Sequence, residues 1–137
     1  MASLLGQLGY PTSADDLPQR LSAIEAAGGI AFVALDDAGQ IVGLASGAHQ
    51  ATLHADGRVA YITALVTAAE ARGRGVGRSL VDAIVLWAQE NGCTRLSVTS
   101  AEHRADAHAF YPRCGLPYSG RRFTRMIDQT VAHDAGE

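Results

Sequence analysis

Arg58-Val59-Ala60-Tyr61-Ile62-Thr63-Ala64-Leu65-Val66-Thr67, followed by Arg72-Gly73-Arg74-Gly75-Val76-Gly77 and a periodic segment that closes at Asn91-Gly92, decides the fold. The first run is β-branched and apolar with no breaker, which predicts a central strand. From the loop onward, Val76, Leu80, Ile84 and Trp87 share one stripe, with Val81, Val85 and Ala88 beside it. That spacing predicts a helix buried along a broad face. Asn91-Gly92 supplies its stop, and Leu96 and Val98 alternate with polar neighbours from Arg95 to Ser100, which predicts the next strand. Strand, glycine loop, helix and strand make one βαβ unit.

Upstream, Ile30 to Leu35 and Gln40 to Ala48 are β-rich runs joined by Asp36-Asp37-Ala38-Gly39, a hairpin composition, and Asp56-Gly57 makes a second turn. The three strands ahead of the loop therefore meander antiparallel. Asp16-Leu17-Pro18-Gln19 reads as a helix start with Asp16 capping and Gln19 answering, and Leu17, Leu21 and Ile24 share a face before Gly28-Gly29. A helix near Ala105 to Arg113 and a strand near Arg122 to Asp128 follow, with residues 131–137 a frayed tail. The fold class is α/β, with a mixed, mostly antiparallel sheet.

With 137 residues, 47% of them hydrophobic, and a net charge of −3, the chain suits one compact domain spanning residues 1–137 and excludes intrinsic disorder. It contains no apolar run of membrane-spanning length and no signal peptide, so the expected location is the cytoplasm, with no membrane partner. All 11 basic residues are Arg, which rules out a lysine nucleophile. The acidic balance disfavours a nucleic-acid surface built on Arg-Gly-Arg-Gly. Cys93 and Cys114 read as reduced thiols, and His103 and His108, five apart, fall on different helical faces, so no metal site is expected.

Local charge in the loop opposes the global charge. Arg72, Arg74 and Arg78 lie close together with no acid between Glu70 and Asp82, and alternate glycines let backbone N–H groups converge on an anion at a helix N-terminus. A nucleoside-triphosphate loop would need a lysine, and a dinucleotide fold would need a second parallel half. What remains is a phosphate-rich cofactor held by one βαβ unit.

On these residues the chain resembles the GNAT family of N-acetyltransferases. Arg72-x-x-Gly75-x-Gly77 matches the family's acetyl-CoA pyrophosphate loop, and Ile62-x-x-Leu65-x-Thr67 precedes it where the family has a splayed central strand. Ala107-His108-Ala109-Phe110-Tyr111-x-x-x-Gly115-Leu116 matches the family's following helix and strand. With the flanking strands the likeness covers nearly all of residues 12–128. It implies acyl transfer from acetyl-CoA to an amine of a small molecule or peptide by direct attack in a ternary complex. Backbone N–H groups of Gly73, Arg74, Gly75, Val76, Gly77 and Arg78, with Arg72, would hold the pyrophosphate. Backbone groups of Leu65, Val66 and Thr67 would pair with the pantetheine. Tyr111 matches the family tyrosine near the cofactor sulfur, a general acid for the departing thiolate; a packed aromatic beside Phe110 is the competing reading.

The chain departs from the family pattern at the base. The family often carries Glu where this chain has Tyr61, and Asn where it has Ala101. Glu102 and His103 are the alternatives, read either as the base or as an exposed loop pair, and His49 and His54 flank a turn that faces the same cleft or solvent. A catalytically silent acetyl-CoA-binding module is therefore the competing function. The family's first strand is also missing ahead of Leu4-Leu5, which points to an internal start, a fold that dispenses with that strand, or a partner chain on the open edge, with a homodimer expected.

Overall fold

The computed structural model describes residues 16–53, 56–98, 105–117 and 125–126. Its elements are α1 (Leu17–Ala26), β1 (Ile30–Leu35), β2 (Ile41–Ala51), β3 (Arg58–Thr67), a 3-10 turn (Ala69–Ala71), α2 (Val76–Glu90), β4 (Cys93–Val98) and α3 (Ala105–Arg113). The sheet order is β1-β2-β3-β4. The first three strands pair antiparallel and β4 runs parallel to β3, so the meander and the βαβ unit both stand as the sequence implies. The strand expected near residues 122–128 lies outside the described residues except for Arg125 and Met126, which belong to no regular element. Residues 1–15, the tail, His54, Ala101, Glu102 and His103 lie outside them as well.

Leu17, Leu21 and Ile24 are the half-buried residues of α1, as their spacing requires. The cap differs from expectation: the Asp16 side chain makes no capping bond, its backbone is already helical (φ −86°, ψ −19°), and the Arg20 amide bonds the Asp16 carbonyl at 3.1 Å. At the other end Gly28 turns with φ +81°. Gly29 has a different task, because a Cβ there would lie 2.7 Å from the Gly47 carbonyl oxygen. Asp36 closes the β1–β2 hairpin by accepting from the Ala38 and Gln40 amides, both at 2.9 Å.

α2 lies on one face of the sheet, burying Leu80, Val81, Ile84 and Ala88. Leu80, Val81 and Ile84 meet Ala45 of β2 and Ile62 of β3, with Phe32, Leu65, Leu96 and Val98 packed around them. The small residues of β2 permit this approach. A Cβ at Gly43 would come 2.8 Å from a Val76 methyl, and one at Gly47 would come 3.1 Å from the Trp87 ring. The opposite face gathers Val42, Leu44 and Val66 with Ala68 and Ala71 of the link to the glycine loop. Both ends of that loop are therefore anchored in packed structure.

Candidate active site

β3 carries one residue too many. Its register with β2 shifts between Ser46↔Ala64 and Gly47↔Ile62, leaving Thr63 as the extra residue of a β-bulge. The bulge reverses which side chains face α2, which is why Ile62 and Leu65, three apart, both pack against the α2 cluster. The described pairing of β3 with β4 ends at Ile62↔Val98, directly before the bulge. Beyond it, Ala68 N–H donates to the Val42 carbonyl at 2.8 Å. Because backbone groups alternate along an antiparallel ladder, Ala64 and Val66 turn to β2, while Leu65 and Thr67 turn their N–H and C=O groups to the other side. No described strand pairs with them there.

The chain then reaches the glycine loop. Gly73 and Gly75 have φ of +84° and +79°, and a Cβ on either would meet nothing within 4 Å. Gly75 is the N-cap of α2, with no side-chain cap, and its carbonyl accepts the first helical bond from Ser79 at 3.0 Å. None of the backbone N–H groups from Gly73 to Arg78 donates to an acceptor among the described residues. Those donors stand at the positive end of a fifteen-residue helix beside the exposed Arg72, Arg74 and Arg78. The arrangement fits a pyrophosphate: a cationic row of donors that no group among the described residues fills.

Gly77 also has a packing task. A Cβ there would lie 3.1 Å from Phe110 Cζ and 3.5 Å from Thr67 Oγ1, so its missing side chain seats α3 against the start of α2. Arg78 donates to the Arg113 carbonyl at 3.5 Å across the same junction. Tyr111 is half-buried, edge-on to Phe110 with ring centroids 5.2 Å apart, and packs against the α2 cluster. Thus β3 beyond the bulge, the loop and α3 converge.

The remaining polar groups sort by place. His49 lies against Trp87, ring centroids 5.2 Å apart, with Arg58 at 3.4 Å, toward the C-terminal end of α2 and away from the loop. Tyr61 accepts a 3.3 Å hydrogen bond from Gln50. Burial pushes both thiols up, Cys93 against the pull of Arg58 and Cys114 against that of Arg78, and both are free. No cluster of potential metal ligands occurs among the described residues. The bulge at Thr63 is the site feature that the sequence does not announce, since Thr63 is an ordinary strand residue by composition.

The acetyltransferase (GNAT) family model matches residues 5–116. The chain is a GNAT-family acetyltransferase. Aminoglycoside N(6′)-acetyltransferase type 1 from Stenotrophomonas maltophilia is 27% identical over 119 residues, covering 82% of this chain and 75% of that protein. Among solved structures, an acetyltransferase from Trypanosoma brucei superposes with a TM-score of 0.77 at 25% identity, covering 92% of this chain and 89% of that one. AAC(6′)-Iy bound to the bisubstrate analogue CoA-S-monomethyl-acetylneamine gives a TM-score of 0.79 at 20% identity, over 93% and 88% of the two chains, a likeness of fold. No helix among the described residues of the acetyltransferase is long and apolar enough to cross a membrane.

Proposed function

We propose that this acetyltransferase moves an acetyl group from acetyl-CoA to a primary amine of a small molecule or peptide by direct attack in a ternary complex. The observation that carries the reading is the row of N–H donors from Gly73 to Arg78 that find no acceptor among the described residues, continuous with the edge of Leu65 and Thr67, which no described strand pairs. Bound acetyl-CoA supplies a thioester whose acyl carbon the amine attacks. Gly73 to Arg78 and Arg72 bind the pyrophosphate, and the backbone groups of Leu65 and Thr67 pair with the pantetheine amides as an added half-strand. Tyr111 gives its hydroxyl proton to the departing thiolate as the C–S bond breaks. The proton released by the amine passes through water to Glu102 or His103. Aminoglycosides are one class of acceptor that the likeness to the Stenotrophomonas maltophilia enzyme supports.

An amine of pKa near 10 is only about 0.1% neutral at pH 7, a cost of roughly 4 kcal/mol, whereas an α-amine near 8 costs roughly 1.4 kcal/mol. Both cases give a rate that rises with pH. The test is release of free CoA thiol with a panel of primary amines and α-amines, alongside thermal stabilisation by acetyl-CoA. Stabilisation without release by any amine would leave the silent binding module as the function, and absence of stabilisation would sink the cofactor assignment. His103→Ala or Glu102→Ala should displace the limb of the pH–rate profile upward; a limb unmoved by both, with an α-amine working well, would assign it to the acceptor. We also place the acetyltransferase in the cytoplasm as a homodimer, binding neither nucleic acid nor membrane.

A further inference from the structure

A groove of about 370 Å³ opens beside the glycine loop, between β1 and the first two turns of α2. Phe32 and Ala34 line it on the strand side, Leu80 and Ala83 on the helix side. Arg74 and Gly75 of the loop line it too, with Ser79 one turn on, and among the described residues around it Arg74 alone is charged. This groove and the edge of Leu65 and Thr67 lie on opposite flanks of the α2 N-terminus. Val76 and Leu80 approach the Cβ position of Gly43, whose partner in β1 is Ala34, whereas Gly77 approaches Thr67. Toward α3 the junction is filled. A Cβ at Gly77 would lie 3.1 Å from Phe110, and Arg78 donates to the Arg113 carbonyl.

We propose that the groove takes the 3′-phosphoadenosine end of CoA, with the Arg74 guanidinium on the 3′-phosphate; the inference rests on the acetyl-CoA reading of the loop. A pyrophosphate on the Gly73 to Arg78 amides stands at the divide, and the two halves of the cofactor leave it in different directions. Pantetheine takes the β3 flank. Phe110 and Arg78 occupy the α3 flank, so the β1 flank is left for the nucleoside. From Gly75 to Ala83 the helix rises about 12 Å, room for a ribose and a purine laid along it. The flat faces of the purine suit the apolar walls of Phe32, Leu80 and Ala83. The 3′-phosphate meets Arg74 and the positive end of α2, with no carboxylate among the residues around the groove to oppose it. The loop arginines thereby divide their work: Arg74 reads the nucleoside phosphate, Arg72 stays with the pyrophosphate, and the Arg78 side chain ties α2 to α3.

The test uses CoA and 3′-dephospho-CoA, which differ only in the 3′-phosphate. By calorimetry the wild-type protein is expected to bind CoA more tightly than dephospho-CoA by roughly tenfold or more, the scale of one hydrogen bond to a charged group. Arg74→Gln should bring that ratio close to one, whereas Arg72→Gln should keep it, whatever happens to either affinity. Ala83→Leu, which fills the groove from a half-buried position, should weaken both ligands at least tenfold. Arg74 is exposed, so Arg74→Gln, the variant that decides the question, removes no buried volume. A wild-type ratio near one, a ratio that survives Arg74→Gln or is lost in Arg72→Gln, or a folded Ala83→Leu variant that binds both ligands as the wild type does overturns the subsite while the acetyl-CoA reading stands. A wild-type protein that binds neither ligand overturns that reading itself, and the subsite with it.

Discussion

Gly73, Gly75 and Gly77 look equivalent in the sequence, and the structure divides their labour. The first two are left-handed with open space where a side chain would stand, and the third is spaced against Phe110. Gly75→Asp should therefore cost about 1–2 kcal/mol of stability for the left-handed backbone and abolish cofactor-induced thermal stabilisation by placing a carboxylate among the donors. Gly77→Ala should loosen the α2–α3 junction instead and lower the melting temperature with or without cofactor. An undiminished acetyl-CoA shift in Gly75→Asp would remove the phosphate assignment. Tyr111 carries a separate prediction. Its ring packs against the hydrophobic cluster, so Tyr111→Phe keeps that packing while removing the hydroxyl. Turnover should fall by about 10²-fold at unchanged acetyl-CoA affinity, the usual scale for losing a general acid. Full turnover in the variant would reduce Tyr111 to a packing residue.

At the scale of elements, the legible parts were those in which local chemistry and tertiary demand agree. The stripe of α2 is buried where its period says, because a helix over a sheet must hide one broad face. The hairpin at Asp36–Gly39 forms where its turn residues lie. The Asp16 cap failed because a capping side chain competes with other interactions and nothing in the motif obliges it to win. The bulge could not be read at all, since it depends on the register between two strands and leaves no mark on either one alone. Gly28-Gly29 shows the same limit. Both read as a helix stop, yet only Gly29 lies against backbone, with its Cβ position 2.7 Å from the Gly47 carbonyl oxygen and 3.1 Å from that of Ile24. Backbone atoms yield less than side-chain tips. Gly29→Ala should therefore destabilise by about 1–3 kcal/mol in urea unfolding, the range for forced overpacking. A cost of only a few tenths would mean that α1 is free to shift away from the sheet.

At the scale of the whole molecule, the βαβ core and the glycine loop at the start of α2 were legible because glycines and helical periodicity are local signals, whereas the quaternary state depends on an edge. Among the described residues β1 pairs with β2 alone. Its six residues, Ile30–Leu35, are all apolar, with none of the lysines, prolines or inward charges that protect open edges. Val33 is 43% exposed and Leu35 59%, and a cavity of about 370 Å³ runs between residues 32–35 and the Val76, Ser79, Leu80 and Ala83 side of α2. A second copy would extend the sheet through antiparallel β1–β1 pairing about a twofold axis normal to it. Such an axis keeps each face of the sheet on its own side, so paired residues must share a face. Either Phe32 or Val33 then pairs with its own counterpart. In both registers Val33 lies next to the axis, within reach of the partner's Val33 or Ala31. Val33→Lys should accordingly place like charges across the axis and convert the dimer to a folded monomer, since Val33 is partly exposed and its loss costs the isolated chain little. Sedimentation at micromolar concentration measures this directly. A wild-type protein that sediments as a monodisperse monomer would eliminate the pairing, as would a Val33→Lys variant that remains dimeric.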